Sequence, residues 1–277
     1  MFAPSAAKSP ATPAEPGQVQ ESGGMSAMSN YVKLINNFDS LKLTTFRASI
    51  DAFIDEVNGG RADLVDALYS LTEKEMAFRQ DRVNRSMVVI SHFPFVKTFD
   101  DYDFSYQPRL NRDEVLDLRN LRFVERAENV VFMGTPGTGK THLAVSVGIE
   151  YAKSRYMTYF VNCNDLIMQL KKAKHENTLA RRLKHFASYS VLIIDEVGFL
   201  PIDAEDSNLL FQLISMRYER HPTAFTTNKS FNRWGEVFGD PVITNAILDR
   251  VLHHSRVFQI VGPSYRMKGK GELFKED

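Results

Sequence analysis

A chain of 277 residues has room for one large domain or two smaller ones, and 43% hydrophobic with 25% charged residues is the composition of a soluble globular protein. Lys+Arg 34 balance Asp+Glu 34, so overall charge gives no argument for nucleic acid and only a local cluster can. The single cysteine, Cys163, excludes an intrachain disulfide and a cysteine metal cluster and fits a reducing, cytoplasmic compartment, and no run approaches the roughly 18 consecutive apolar residues of a membrane span.

Residues 1–30 are rich in Ala, Pro, Ser, Gly and Gln, with no apolar core of a secretory signal, and read as a disordered tail. Residues 31–92 read as a small helical domain. Phe38, Leu41, Leu43 and Phe46 open it, and Ile50, Phe53, Ile54 and Val57 recur at helical spacing until Asn58-Gly59-Gly60 stops the helix. A second helix carries Leu64, Val65, Leu68 and Leu71, and Thr72 with Glu75 looks like a capping box for a third. That third helix sets Arg79, Arg82 and Arg85 three residues apart on one face, either solvated or in contact with phosphates. Pro94 ends the pattern. Residues 93–110 form a linker, acidic and aromatic from Lys97 to Phe104, whose rings pack on the next domain.

The domain expected over 111–268 begins with a second capping pattern, Asn111 and Glu114, and a helix with Val115, Leu118, Leu121 and Val124. The apolar run Val130 to Met133 then leads into Gly134-Thr135-Pro136-Gly137-Thr138-Gly139-Lys140-Thr141, followed by a helix from His142 with Leu143, Ala144, Val147 and Ile149 facing a sheet. Strand, glycine loop and helix in this order make a phosphate-binding P-loop. Glycines let backbone N–H groups point at phosphate oxygens, and the helix N-terminus adds partial positive charge there. Lys140 would reach the β- and γ-phosphates, and the Thr141 hydroxyl would ligate Mg²⁺.

Further strands are expected at Tyr159 to Val161, Val191 to Ile194, Thr223 to Thr227 and Val257 to Ile260. Helices fall between them: one with Leu166, Ile167 and Leu170, capped by Asn164 or Asp165, one from Ser207 to Arg220, and one from Ile243 to Leu252. Repeated β-α units imply an α/β fold with a parallel, doubly wound sheet. The apolar strand 191–194 ends in Asp195-Glu196, where open α/β sheets bind ligands. Asp195 would hold Mg²⁺ and Glu196 would polarise the attacking water. Asn228 is either a water-orienting amide or a turn residue, and Arg250 either a surface charge or a finger entering a neighbouring subunit's site. Lys171, Lys172, Lys174, Arg181, Arg182 and Lys184 form a concentrated basic patch with Glu176 the only acid among them, a solvated helix face or a DNA contact.

Read together, GTPGTGKTHLA, VLIIDEVG, TTN and WGEVFGDPVITNAILDRVLHHS resemble the IstB-like ATPases, transposition helpers of insertion sequences and relatives of the DnaC helicase loader in the AAA+ superfamily. The resemblance runs from about residue 31 to about 268, including TFDDYDFSYQP and IVGPSYRMKG, and leaves residues 269–277 as a C-terminal tail. It implies an AAA+ core with ATP between adjacent copies of a homo-oligomer. Lys140 and Thr141 then match Walker A, with His142 just beyond, Asp195 and Glu196 match Walker B, Asn228 sensor 1 and Arg250 the arginine finger. Arg266 is a candidate second sensing arginine, and the basic region falls where initiator and loader relatives carry DNA-contacting helices. The function expected is a Mg²⁺-dependent ATPase that assembles with ATP on duplex DNA and recruits a transposase. A helicase loader is the alternative, and a small-molecule kinase a more distant one.

Overall fold

The computed structural model describes residues 23–120 and 122–268. The expected tails over 1–22 and 269–277, and Leu121, lie outside those residues. The chain divides into two compact units, Met1–Arg79 and Gln80–Asp277, with the division falling inside a helix.

The first unit is built from α1 (Gly23–Ser40), α2 (Thr44–Asn58) and the start of α3 (Leu64–Ile90). Helix α1 reaches back to Gly23, so residues 23–30 are helical where composition alone reads a tail; no Gly or Pro interrupts the chain from Met25 to Asn58. Lys42, with φ 56°, turns the chain between α1 and α2, and Gly59 caps α2 as expected. The break expected at Thr72 is absent. Helix α3 runs for 27 residues, because nothing between Leu64 and Ile90 disrupts a helix. Thr72 lies inside it, donating its hydroxyl to the Tyr69 carbonyl at 2.7 Å. Glu75 caps a different helix: buried, it accepts the Thr45 backbone N–H at 3.0 Å, near the start of α2, and the Arg79 Nε–H at 2.7 Å. Phe38, Ile50, Ala67 and Leu71 form the small core of this unit.

In the second unit, after the rest of α3, come two short helices, α4 (Arg112–Asp117) and α5 (Arg122–Glu125), where one was expected. Asn111 caps α4, accepting the Asp113 and Glu114 N–H groups and donating to the Glu114 carboxylate at 2.8 Å. The sheet follows: β1 (Asn129–Gly134), β2 (Thr158–Asn162), β3 (Val191–Val197), β4 (Thr223–Thr227) and β5 (Ser255–Ile260), in spatial order β2-β3-β4-β1-β5. Every pairing is parallel, so every crossover is helical. The helices are α6 (Lys140–Lys153), α7 (Cys163–His175), α8 (Leu179–Ala187), α9 (Ala204–Arg217), α10 (Trp234–Phe238) and α11 (Pro241–Leu252).

Strand periodicity assigns the two cores. Val131, Leu192, Ile194 and Phe225 pack under α7, α8, α9 and α11. Val130, Phe132, Val191, Ile193 and Ala224 point the other way, onto α6 and the Val115–Phe123 region. A sheet apolar on both faces is what near-continuous runs such as Val191 to Ile194 require. The P-loop helix α6 starts at Lys140, two residues before the expected His142, and at three further helix starts that differ from expectation an Asx N-cap decides. Asn162 caps α7 in place of Asn164 or Asp165, Asp203 starts α9 three residues before Ser207, and Asp240 starts α11 ahead of Ile243. Arg217 is buried at the end of α9 and donates to the carbonyls of Phe186, Ala187, Tyr189 and Pro222, pinning the α8–β3 turn to the entry of β4. Among the described residues no helix is long and apolar enough to cross a membrane.

Candidate active site

The carboxyl ends of β1, β3 and β4 open onto a cleft of about 860 Å³. The P-loop forms its floor. Gly137 and Gly139 take φ of 81° and 91°, a region closed to most side chains, and a Cβ on Gly137 would lie 1.9 Å from the Ser264 hydroxyl. Both glycines are therefore dictated by conformation and by crowding. The loop is held from outside by the linker and by the far end of the chain. The Tyr102 hydroxyl donates to the Thr138 carbonyl at 2.9 Å, and the Tyr265 backbone N–H donates to the Gly137 carbonyl at 2.8 Å. The aromatic linker thus packs on this domain as its composition implied. Burial pushes the Tyr102 phenol up to about 12, so it stays a neutral donor.

Lys140 and Thr141 open α6. The Lys140 ammonium donates to the Thr135 carbonyl at 2.9 Å, folded over the loop. Burial lowers its pKa, while Asp195 and Glu196 oppose that and Arg266 adds to it. The Thr141 hydroxyl donates to both Asp195 oxygens, at 3.0 and 3.2 Å. Asp195 also accepts from the Thr226 hydroxyl at 2.5 Å. Burial nevertheless raises its pKa, because a desolvated carboxylate costs more than two hydroxyl donors return. A buried acid short of cationic partners, beside a hydroxyl and at the head of a glycine loop, is a hard-oxygen donor set that suits Mg²⁺.

In a regular strand Asp195 and Glu196 would face opposite sides. They do not. The β3–β4 register slips between Ile194 and Val197, and Glu196 adopts φ 60°. This bulge brings both acids to the cleft. Two groups position Glu196: its N–H donates to the Thr226 hydroxyl at 2.9 Å, and its Oε2 accepts the Asn162 side-chain amide at 2.9 Å. Asn162 also caps α7 through its Oδ1, which takes the Asn164 N–H at 3.0 Å.

The cleft thus brings together Pro136 to His142, Asp195, Glu196, Asn228 and Arg266, while Gly134 and Thr135 lead into it from β1. His142 is turned by the linker, its Nε2–H donating to the Thr98 carbonyl at 2.9 Å. Arg250 is not among the lining residues. It sits on α11 with its guanidinium 4.7 Å from the Phe211 ring centroid and donating to the Ala246 carbonyl at 3.0 Å. The basic patch lies on α7 and α8 and is partly neutralised. Lys171 pairs with Asp206 at 2.9 Å, Lys174 with Glu205, and Lys172 with Glu176 at 3.9 Å. Arg182 lies 4.7 Å from the Phe186 ring centroid, while Arg181 and Lys184 are exposed. On α3, Arg79 pairs with Glu75 and Arg85 with Asp81, and Arg82 is exposed.

Comparison with known proteins decides the family. A family model described as "IstB-like ATP binding protein" matches residues 36–272. The chain belongs to the IstB-like ATP-binding proteins. An insertion sequence IS232 protein of Bacillus thuringiensis subsp. berliner, named for ATP binding, is 49% identical over 239 residues, covering 86% of this chain and 96% of the relative. An IS5376 counterpart from Geobacillus stearothermophilus is 44% identical over 203 residues, 73% of this chain and 81% of that one. Among solved structures, the DnaC helicase loader aligns with a TM-score of 0.51 and 26% identity, over 59% of this chain and 96% of its own. AMPPCP-bound DnaA from Aquifex aeolicus gives 0.53 at 18% identity, over 67% of this chain and 58% of its own, and so shares the AAA+ fold.

Asn162 and Thr226 escaped the sequence reading. Their one signal was position: Asn162 lies opposite Asp195 in the parallel register, and Thr226 is a polar residue inside a strand buried from end to end.

Proposed function

We propose that this IstB-like protein is a Mg²⁺-dependent ATPase that assembles with ATP on duplex DNA and recruits the transposase of its insertion sequence. One observation carries the reading: a glycine loop with Lys140 and Thr141 meets an acid pair in one cleft, and a strand bulge turns the second acid towards the same space. The loop N–H groups and the Lys140 ammonium bind and orient the triphosphate. The Thr141 hydroxyl and the Asp195 carboxylate would hold Mg²⁺, which would supply neutralisation of phosphate charge. Glu196 takes a proton from water as its oxygen bonds to the γ-phosphorus and the bond to ADP breaks. Asn228 would orient that water, and Arg266, beside the Tyr265 whose N–H bonds the P-loop, would reach the phosphates.

Arg250 lies outside its own cleft, which suits a role in trans: an ATP at a seam between two copies would meet Arg250 of the next. DNA would be held by phosphate contacts from Arg181, Lys184 and Lys172, with the paired Lys171, Lys174 and Arg182 contributing less; Arg79, Arg82 and Arg85 on α3 are separate candidates. Such contacts give weak sequence preference and steep salt dependence. The likeness to the DnaC helicase loader favours a second reading, in which the same assembly delivers a helicase.

The test is hydrolysis of γ-labelled ATP with Mg²⁺, with and without duplex DNA, alongside DNA retention. Hydrolysis should rise with DNA and vanish in Lys140→Ala, and Glu196→Gln should hold ATP and DNA together. A Glu196→Gln protein that releases DNA as readily with ATP as without it would sink the coupling. Affinity capture from cells carrying the insertion sequence separates the two readings by whether transposase or helicase is retained.

A further inference from the structure

On the side of the second unit away from the P-loop, three side chains meet for which the ATPase cycle has no use. Glu219 lies just past α9 in a left-handed turn, φ 56°, which swings its carboxylate towards the end of α11. His253 and His254 follow α11 directly, their ring centroids 4.0 Å apart. Glu219 Oε1 lies 3.7 Å from His253 Nδ1 and 3.5 Å from His254 Nε2. The three ligand atoms fall within 4.8 Å of one another. A tetrahedral zinc with bonds of about 2.0–2.1 Å sets its ligand atoms about 3.3 Å apart, so two of the three separations need shorten by only a few tenths of an ångström.

We propose that Glu219, His253 and His254 form a site for one divalent transition-metal ion of the zinc class, which clamps the end of α9 to the end of α11. The donor chemistry selects the ion. Two imidazoles and one carboxylate suit zinc, nickel or copper, whereas calcium and magnesium want a shell of oxygens. Among the described residues, Glu219 pairs with no Lys or Arg, so its charge is available to a cation. The three side chains are about half exposed, which leaves the remaining coordination positions to water.

The site also reaches Arg250. The Tyr218 hydroxyl lies 2.6 Å from His253 Nδ1, the nitrogen that a metal would take. The Tyr218 ring in turn lies 6.0 Å from the Arg250 guanidinium. A metal on Nδ1 displaces the tyrosine hydroxyl and loosens one wall around Arg250. Metal uptake and the setting of Arg250 are therefore linked through one side chain.

The experiment is calorimetric titration of the chelator-treated full chain with Zn²⁺ alone, in buffer free of nucleotide and DNA. One equivalent should bind, and Co²⁺ in its place should give the intense visible bands of a low-coordinate site. His253→Ala, His254→Ala and Glu219→Gln should each weaken binding about tenfold or more. His175→Ala, an exposed histidine on α7, should change nothing. Tyr218→Phe should bind Zn²⁺ more tightly, because the competing hydroxyl is gone. The proposal is overturned if the wild type shows no saturable uptake, or if loss of any of the three side chains leaves the affinity unchanged. A Tyr218→Phe protein no tighter than wild type overturns the link to Arg250. Since no ATP is present, none of these outcomes bears on the ATPase reading.

Discussion

The P-loop cleft and the α11 face that carries Arg250 solve opposite problems. In the cleft, the acid pair and the loop are fixed by neighbours from the same chain: Thr226 and Thr141 hold Asp195, Asn162 holds Glu196, and Tyr102 and Tyr265 hold the loop. On α11, Arg250 rests against Phe211 and Tyr218 with a single carbonyl partner. On the proposed reading, binding and turnover are separable: the strand ends build the first, and the second would need Arg250 of a neighbouring copy.

The largest expected break in that comparison comes from Arg250→Ala. It should lower DNA-stimulated kcat by about a thousandfold or more, with nucleotide affinity of the dilute protein unchanged in equilibrium titration. An equal loss of affinity would place Arg250 in its own cleft. Mixing Arg250→Ala with Glu196→Gln sharpens the point, because a seam between copies predicts partial recovery from two dead proteins.

A smaller effect is expected at Asn162. Its amide occupies one oxygen of the Glu196 carboxylate, the group proposed to act on water. Asn162→Ala should raise hydrolysis several-fold in the absence of DNA and shrink the stimulation by DNA. Steady-state rates with and without DNA read this directly. Rates unchanged in both conditions would leave the contact without consequence.

Smaller still is a stability effect at Asp195. Its folded pKa is raised by burial, so the folded state holds its proton to higher pH than the unfolded chain does. Stability is therefore full below the ordinary carboxylate value and falls as pH rises through the raised one. At neutral pH the ion is a cost, and Asp195→Asn keeps an acceptor for Thr141 and Thr226 without it. Without nucleotide, that variant should melt higher, by about 2–4 °C for each kcal/mol regained, while its Mg²⁺-dependent hydrolysis disappears. A lower melting temperature would show that the hydroxyl donors outweigh desolvation. Least of all is expected at Cys163. Burial pushes its thiol up to about 12, so the folded chain should react with thiol reagents only at the rate of unfolding.

The parallel sheet and the P-loop were legible in sequence because both are local. Strands such as Val191 to Ile194 announce burial on two faces, and Gly137 and Gly139 sit where a left-handed turn must fall. What stayed hidden depends on partners distant in the chain. The Thr72–Glu75 pattern looked like a cap, yet Glu75 serves α2 thirty residues away. Asn162 could be heard as a cap only once the strand end was fixed, and its bond to Glu196 needed the register of β2 against β3. The basic patch read as a uniform charge run, whereas Lys171 and Lys174 are paired by acids at the start of α9.

The left-handed backbone at Glu196 has one more consequence. Two independent demands would fall on one codon: the acid that the proposed hydrolysis needs, and a main chain willing to turn against its preferred hand. A library covering every amino acid at 196 and sorted only for folded protein should keep glycine and asparagine readily and discard valine and isoleucine. That ranking owes nothing to ATP.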